Sequence, residues 1–459
     1  MTAAPAGSPA ESSCPYACGN VRAWDPSRRF CAQCGGWLKF CATGCRVPNR
    51  IFARYCRHCR AVLADWDSWP CLGGNADGTG ALARGAPWRD QGGLRQSAPW
   101  KQELALNAGV HPACVVSSGG ALLAFTSDGT LTMADLRHGH VVDRAPLSED
   151  PVSLYATSER LLAVSTEKLR LYSLMGRSAD DYSAPGAAGL RKLYERQVPR
   201  TFRSWMGSPI PYGPHLVCAA TGSAAFGLAC FKEDTLEDLW EDDPQKSFPG
   251  ELAFLAPWGD AGLVVGNRDG HVVALSGIKG SEAFRFTLPG GLYESFPRAA
   301  VHQNALYAFN AAGDLHRTEL SARRTTTAVG DVNIEHPSAL GVSSREIVVG
   351  NRHGHLARWN SHGLDRRSFH VTLRAEDASA GITLPPVLTD DGCLLVATEA
   401  GTLMFFGPRS DAAPLERSFS TSSGSGLAAF LLDGNTFVGV STRGEVQALK
   451  ILPEGEVSP

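Results

Sequence analysis

Residues 262–277 read GLVVGNRDGHVVALSG. An apolar strand runs into a polar turn, Gly270 closes the turn, and a second, alternating strand follows. Glycine at that place accepts the positive φ that a tight β turn demands. The unit recurs as ALLAFTSDGTLTMADL (121–136), RLLAVSTEKLRLYSL (160–174), HLVCAATGSAAFGLACF (215–231), ALYAFNAAGDLHRTEL (305–320), EIVVGNRHGHLARWNS (346–361), CLLVATEAGTLMFFGP (393–408) and TFVGVSTRGEVQALKI (436–451). The turn markers are Gly129, Lys168, Gly222, Gly270, Gly313, Gly354, Gly401 and Gly444, which span 315 residues in seven intervals with a mean of 45.

That period, with a strand every 8–12 residues, is the signature of a β-propeller. Many units also carry an outer pair, such as PVSLYA or HPSALGV before the hairpin and AFRFTL or SFHVTL after it. Four strands make one blade. A blade cannot bury both faces alone, so blades stack around an axis and the ring closes to protect its edges. Eight hairpins favour eight blades, and seven follow if the irregular third unit belongs to another element. The interval from Lys168 to Gly222 is the long one at 54 residues, and it is read as a surface insertion with a short helix over 190–196. Residues 101–106 are placed to join the last blade and latch the ring. The fold class is therefore all-β, with the propeller over 101–452 and a tail at 453–459.

Outside the ring, the informative residues are cysteines. Cys14, Cys18, Cys31 and Cys34 form C-x3-C-x12-C-x2-C, and Cys41, Cys45, Cys56 and Cys59 form C-x3-C-x10-C-x2-C. A four-cysteine zinc site needs two close thiolate pairs brought together tetrahedrally, and a loop of about ten to twenty residues returns the second pair to the first. Cys14 to Cys41 and Cys18 to Cys45 are each 27 residues apart, while Cys31 to Cys56 and Cys34 to Cys59 are each 25 apart. The register argues for a tandem duplication in which each copy closes its own site. A cross-brace, joining the first pair to the third and the second to the fourth, is the rival arrangement. His58 lies within the last pair, where four thiolates already complete the site.

The segment CPYAC…RRFCAQCGGWL followed by CATGC…ARYCRHCRAVL resembles the double zinc ribbon family over residues 14–63. The resemblance implies two structural Zn²⁺ ions held by the eight cysteines. The ring repeat is similar to the PQQ-like, quinoprotein-type propeller repeat: DGHVVALSGIKGSEAFRF follows the D-G-x-[LV]-x-A-L-[DS]-x-x-x-G pattern. Quinoprotein dehydrogenases use a vicinal Cys-Cys pair beside the cofactor, and no Cys-Cys dipeptide occurs here.

Charge is unevenly spread. Residues 14–63 carry nine Lys or Arg against Asp25 alone, so the remainder of a chain of net charge −3 sums to −11. Two zinc centres with four thiolates each would bring the head from +8 to about +4. The arginines then serve either to compensate thiolate charge or to bind phosphate or an acidic partner. Aromatics are not interleaved with them as a base-stacking surface needs.

Residues 1–13 read as a disordered lead with neither a basic n-region nor an apolar h-region, hence no secretory signal. No apolar run reaches the length of a membrane span. A cytoplasmic, reducing setting follows, in which paired cysteines hold metal. Residues 64–100, rich in Gly, Pro and Ala, read as a flexible linker in which Trp66, Trp69, Trp88 and Trp100 need somewhere to dock and Cys71 is a plain thiol. In the ring, Cys114, Cys218, Cys230 and Cys393 fit buried strand positions. His271, His302, His353 and His355 form no ligand spacing, and no catalytic or nucleotide-binding motif is present. The expected function is a non-enzymatic protein-interaction adaptor or scaffold with no cofactor beyond zinc. The alternatives are a nucleic-acid-binding protein acting through the basic ribbons and a small-molecule sensor or enzyme at the propeller mouth.

Overall fold

The computed structural model describes residues 104–452 apart from loop segments, the longest being 174–190, 293–298, 329–336, 373–380, 407–414 and 419–425. Short strands N-terminal to residue 104 are described as well. The eight cysteines of the head lie outside the described residues. Every described element is a strand.

The strands form eight antiparallel blades. Blades 1 to 7 span 110–146, 151–197, 204–249, 252–287, 299–328, 337–372 and 387–418. Blade 8 takes three strands from 427–452 and its outermost strand, Arg95–Ser97, from the other end of the chain. The irregular third unit is a complete blade, so the ring has eight.

Each hairpin read from the sequence supplies the second and third strands of a blade. In blade 4 these are Gly262–Asn267, buried throughout, and His271–Ser276. The fourth strand, Ser281–Thr287, alternates between exposed and half-buried positions, as an outer edge should. The first strands lie innermost: those of blades 1 to 7 pack consecutively against one another, and that of blade 8 packs against that of blade 1. Between blades the apolar faces interlock. Leu263 and Val265 face blade 3, while Val264, Val272 and Ala274 face blade 5. Blades 8 and 1 share a core that includes Leu431, Val438, Val115 and Leu122.

A shared device builds the turns. In six blades the last residue of the second strand, or the one just after it, accepts from the glycine three residues on, as in Gly270 N–H to Asn267 O at 3.0 Å and Gly401 N–H to Thr398 O at 3.0 Å. These six glycines have φ between 76° and 89°, the conformation that ends a three-residue hairpin loop in a bulge. The strand-end side chain then accepts the next amide: His271 N–H to Asn267 Oδ1 at 2.8 Å, Thr402 N–H to Thr398 Oγ1 at 3.0 Å, Glu445 N–H to Ser441 Oγ at 3.0 Å. Blade 2 has a shorter turn with no glycine, where Lys168 N–H donates to Ser165 Oγ at 3.1 Å.

Two features differ from the sequence reading. The helix expected over 190–196 is instead the strand Arg191–Gln197, the outer edge of blade 2. It pairs with Lys168–Ser173, which sets Glu195 opposite Arg170 and joins them by an ion pair of 3.0 Å. Lys192 and Lys168 also reach Glu195, at 3.1 and 3.6 Å. Cross-strand pairing of opposite charges satisfies residues whose mixed polarity resembles a helix face. Second, the stretch read as a tether touches the ring at three places. Ser68–Trp69 pairs with Leu432 and Asp433, Ala81–Leu82 pairs in parallel with Leu388 and Thr389, and Arg95–Ser97 pairs with 450–452. Ring strands therefore begin before residue 101. The latch expected at 101–106 is present: Leu104–Ala105 pairs with Val446 and Glu445, and Leu104 and Leu106 are buried in the core between blades 8 and 1.

Candidate functional site

Two short hairpins bracket the first cysteine pair of each copy in the head. Ser12–Ser13 pairs with Val21–Arg22, and Leu38–Phe40 pairs with Pro48–Arg50. Cys14 and Cys18 fall in the connection of the first, and Cys41 and Cys45 in that of the second. The strand registers repeat at the cysteine interval. Ser12↔Arg22 and Ser13↔Val21 become Lys39↔Asn49 and Phe40↔Pro48, each 27 residues on. The backbone thus repeats with the same offset as Cys14 to Cys41. A hairpin connection is where two thiolates with three residues between them can turn towards one ion.

Two short strands that precede the ring in the chain pair with it at the axis. Because the first strands line the axis, Ser68–Trp69 and Ala81–Leu82 extend blades 8 and 7 on their inner edges. Both lie at the end of the axis where each first strand turns into its second, since Asp433 and Thr389 end the first strands of their blades. Trp69 precedes Pro70. Proline biases the preceding residue to an extended conformation and cannot itself continue a hydrogen-bonded ladder. Sequence reasoning missed these strands because two residues are too few to show a period; Trp-Pro was the available signal.

The cysteines described in the ring are buried. The Cys114 thiol is fully buried and donates to Pro151 O at 3.2 Å across the boundary of blades 1 and 2. Burial, with the Asp150 carboxylate adding, pushes this thiol up to about 12. Burial likewise raises Cys218, and raises Cys230 to about 12. Cys393 is also buried. Such thiols pack as small hydrophobes and are poor nucleophiles at neutral pH. His271 and His353 are exposed, and His302 and His355 are half-buried. His271 Nδ1 lies 3.2 Å from Thr287 Oγ1 across its blade. His353 and His355 donate their backbone amides to the same Asn351 Oδ1, at 2.9 and 2.8 Å, as parts of the turn.

One charged pair is deeply buried. Arg358 donates through Nε to Glu346 Oε2 at 3.0 Å, and its Nη2 also reaches that oxygen. Nη2 further donates to Gly392 O of blade 7 at 3.3 Å. Arg358 stands where Ala274 stands in blade 4, four residues past the turn glycine, on the face towards the next blade. Sequence reading missed this pair; the arginine at that place in HLARWN, where blade 4 has alanine, was the available signal. Tyrosines tie other blades: Tyr212 donates to Gly277 O, and Tyr307 to Ser361 O at 3.0 Å.

No family model and no curated protein matches the chain in sequence. Solved structures match in fold. BamB from Moraxella catarrhalis superposes with a TM-score of 0.54 at 11% identity, over 80% of this chain and 100% of that one. The quinohemoprotein alcohol dehydrogenase ADHIIG from Pseudomonas putida HK5 gives 0.59 at 10% identity, over 85% of this chain and 81% of that one. The computationally designed Ika8 protein gives 0.58 at 13% identity, over 77% of this chain and 99% of that one. At these identities the likeness is one of fold, the eight-bladed propeller already described.

Proposed function

We propose that the protein is a non-enzymatic, zinc-binding adaptor that recruits a protein partner. Its head holds two structural Zn²⁺ ions, the first in Cys14, Cys18, Cys31 and Cys34 and the second in Cys41, Cys45, Cys56 and Cys59. The observation that carries the zinc reading is the common 27-residue offset of the first cysteine pair of each copy and of the hairpin registers around it. Each copy carries four cysteines of its own, so tandem closure needs no exchange of pairs between them. A segment this small lacks a core of its own, and metal binding supplies its folding energy. Thiolate ligands fit a reducing compartment, and we place the protein in the cytoplasm.

The ring supplies the platform. Its blades interlock through apolar cores, and its buried thiols are suppressed by desolvation. A rigid body of this kind presents loops from eight blades at two ends, as binding surfaces on a fixed scaffold require. The test is capture of partners by the full chain and by its Cys31→Ser/Cys34→Ser variant, followed by reconstitution from purified components. The adaptor reading predicts a stoichiometric complex that reforms from purified proteins. Substrate turnover by the purified chain, or retention on nucleic acid with a steep salt dependence, would contradict it.

A further inference from the structure

The chain adds its own strands to the axial edges of blades 7 and 8. These edges are the inner backbone of Val387–Thr389 and Leu427–Asp433. Each added strand is two residues long, one antiparallel and one parallel to its host. Short additions make few ladder bonds, and parallel pairing is the weaker kind. The next part of the same chain is held differently. Arg95–Ser97 makes three residue pairs on the outer edge of blade 8, and Leu104 and Leu106 are buried in the core between blades 8 and 1. The outer strap closes the ring, so the inner strands can leave without opening it.

We propose that the inner edges of blades 7 and 8 form a strand-accepting site for an extended peptide of a partner protein, occupied in the free chain by Ser68–Trp69 and Ala81–Leu82. The occupant shows the chemistry the site takes: extended backbone that completes an exposed ladder, as in peptide recognition by strand addition. Its place between head and outer strap gives the displacement a consequence. Release frees the connection from residue 68 to residue 94, so a partner entering at the axis would untether the zinc head from the ring mouth. The proposal rests on the adaptor reading, yet strand exchange is measured without a natural partner, so its failure would leave that reading standing.

The test uses the full chain with Ser68→Pro, Trp69→Pro, Ala81→Pro and Leu82→Pro. Both residues of each strand are replaced because successive N–H groups point to opposite edges. The probe is a fluorescein-labelled peptide copying residues 64–86, followed by anisotropy. In the wild-type chain the tethered copy competes at high effective concentration. The variant should therefore bind the peptide at least about ten-fold more tightly than wild type. Equal binding to both chains, or no binding to a variant whose melting matches wild type, would overturn the proposal. Hydrogen exchange on the wild-type chain tests the same point should the variant fail to fold. Amides of residues 68–69 and 81–82 should exchange much faster than those of 96–97; exchange as slow as the ring core would overturn it. Dimerisation of the wild-type chain with rising concentration would assign the edges to a second copy and overturn it too.

Discussion

His316 is 2% exposed, its Nδ1 lies 2.9 Å from Thr327 Oγ1, and its Nε2 is buried without a hydrogen-bond partner. Burial pulls its proton affinity below that of an ordinary histidine, with Asp314 pulling the other way. The folded chain then binds fewer protons here than the unfolded chain, so stability rises with pH. The contribution is complete above the unfolded value of about 6.5 and is lost as pH falls below it. His215, also lowered by burial, acts in the same direction. Melting between pH 7.5 and 5.5 should show a fall that His316→Gln makes shallower; an unchanged slope would contradict this. The turn glycines make a second test at this scale. Gly129→Ala meets no heavy atom within 4 Å, so its cost is that of φ at +83°, about 1–2 kcal/mol. Gly444→Ala has the same backbone demand and would also overlap the Ala108 carbonyl oxygen. It should lower the melting temperature more than Gly129→Ala does. The turn glycines were legible in the sequence because a positive φ leaves a residue signature. The histidine was not, since burial between blades depends on neighbours far along the chain.

At the scale of elements, the buried pair of blade 6 separates partnership from charge. Removing Arg358 alone leaves Glu346 uncompensated inside the ring, which costs about 3–5 kcal/mol. Replacing both by apolar residues removes the desolvation cost as well as the attraction. Denaturant unfolding should show Arg358→Met/Glu346→Leu closer to wild type than Arg358→Met. The reverse order would mean the pair itself is strongly stabilising. The second and third strands of every blade could be read directly, because they are apolar runs on either side of a fixed turn. Fourth strands were harder. Arg191–Gln197 looks helical by composition, and only its pairing with Lys168–Ser173 shows why it is extended. The Arg170–Glu195 pair, which with Lys192 and Lys168 holds the Glu195 carboxyl at about 2, is a property of that pairing.

At the scale of the molecule, the period of the repeat pointed to the ring and favoured eight blades over seven, while its closure depends on residues outside the repeat. Arg95–Ser97 and Leu104–Ala105 are too short to show a pattern, yet they complete blade 8. The strands at the axis were hidden for the same reason, within a stretch whose Gly, Pro and Ala content reads as a tether. The head presents the opposite case: its cysteine spacing was plain, and the hairpin registers repeat at the same 27-residue interval. The most direct measurement is the zinc content of the purified, metal-replete chain, by mass spectrometry under native conditions. Two ions per chain are predicted, falling to one in Cys31→Ser/Cys34→Ser with the ring's unfolding transition unchanged. A content of zero or one in the wild-type chain would contradict two self-contained sites.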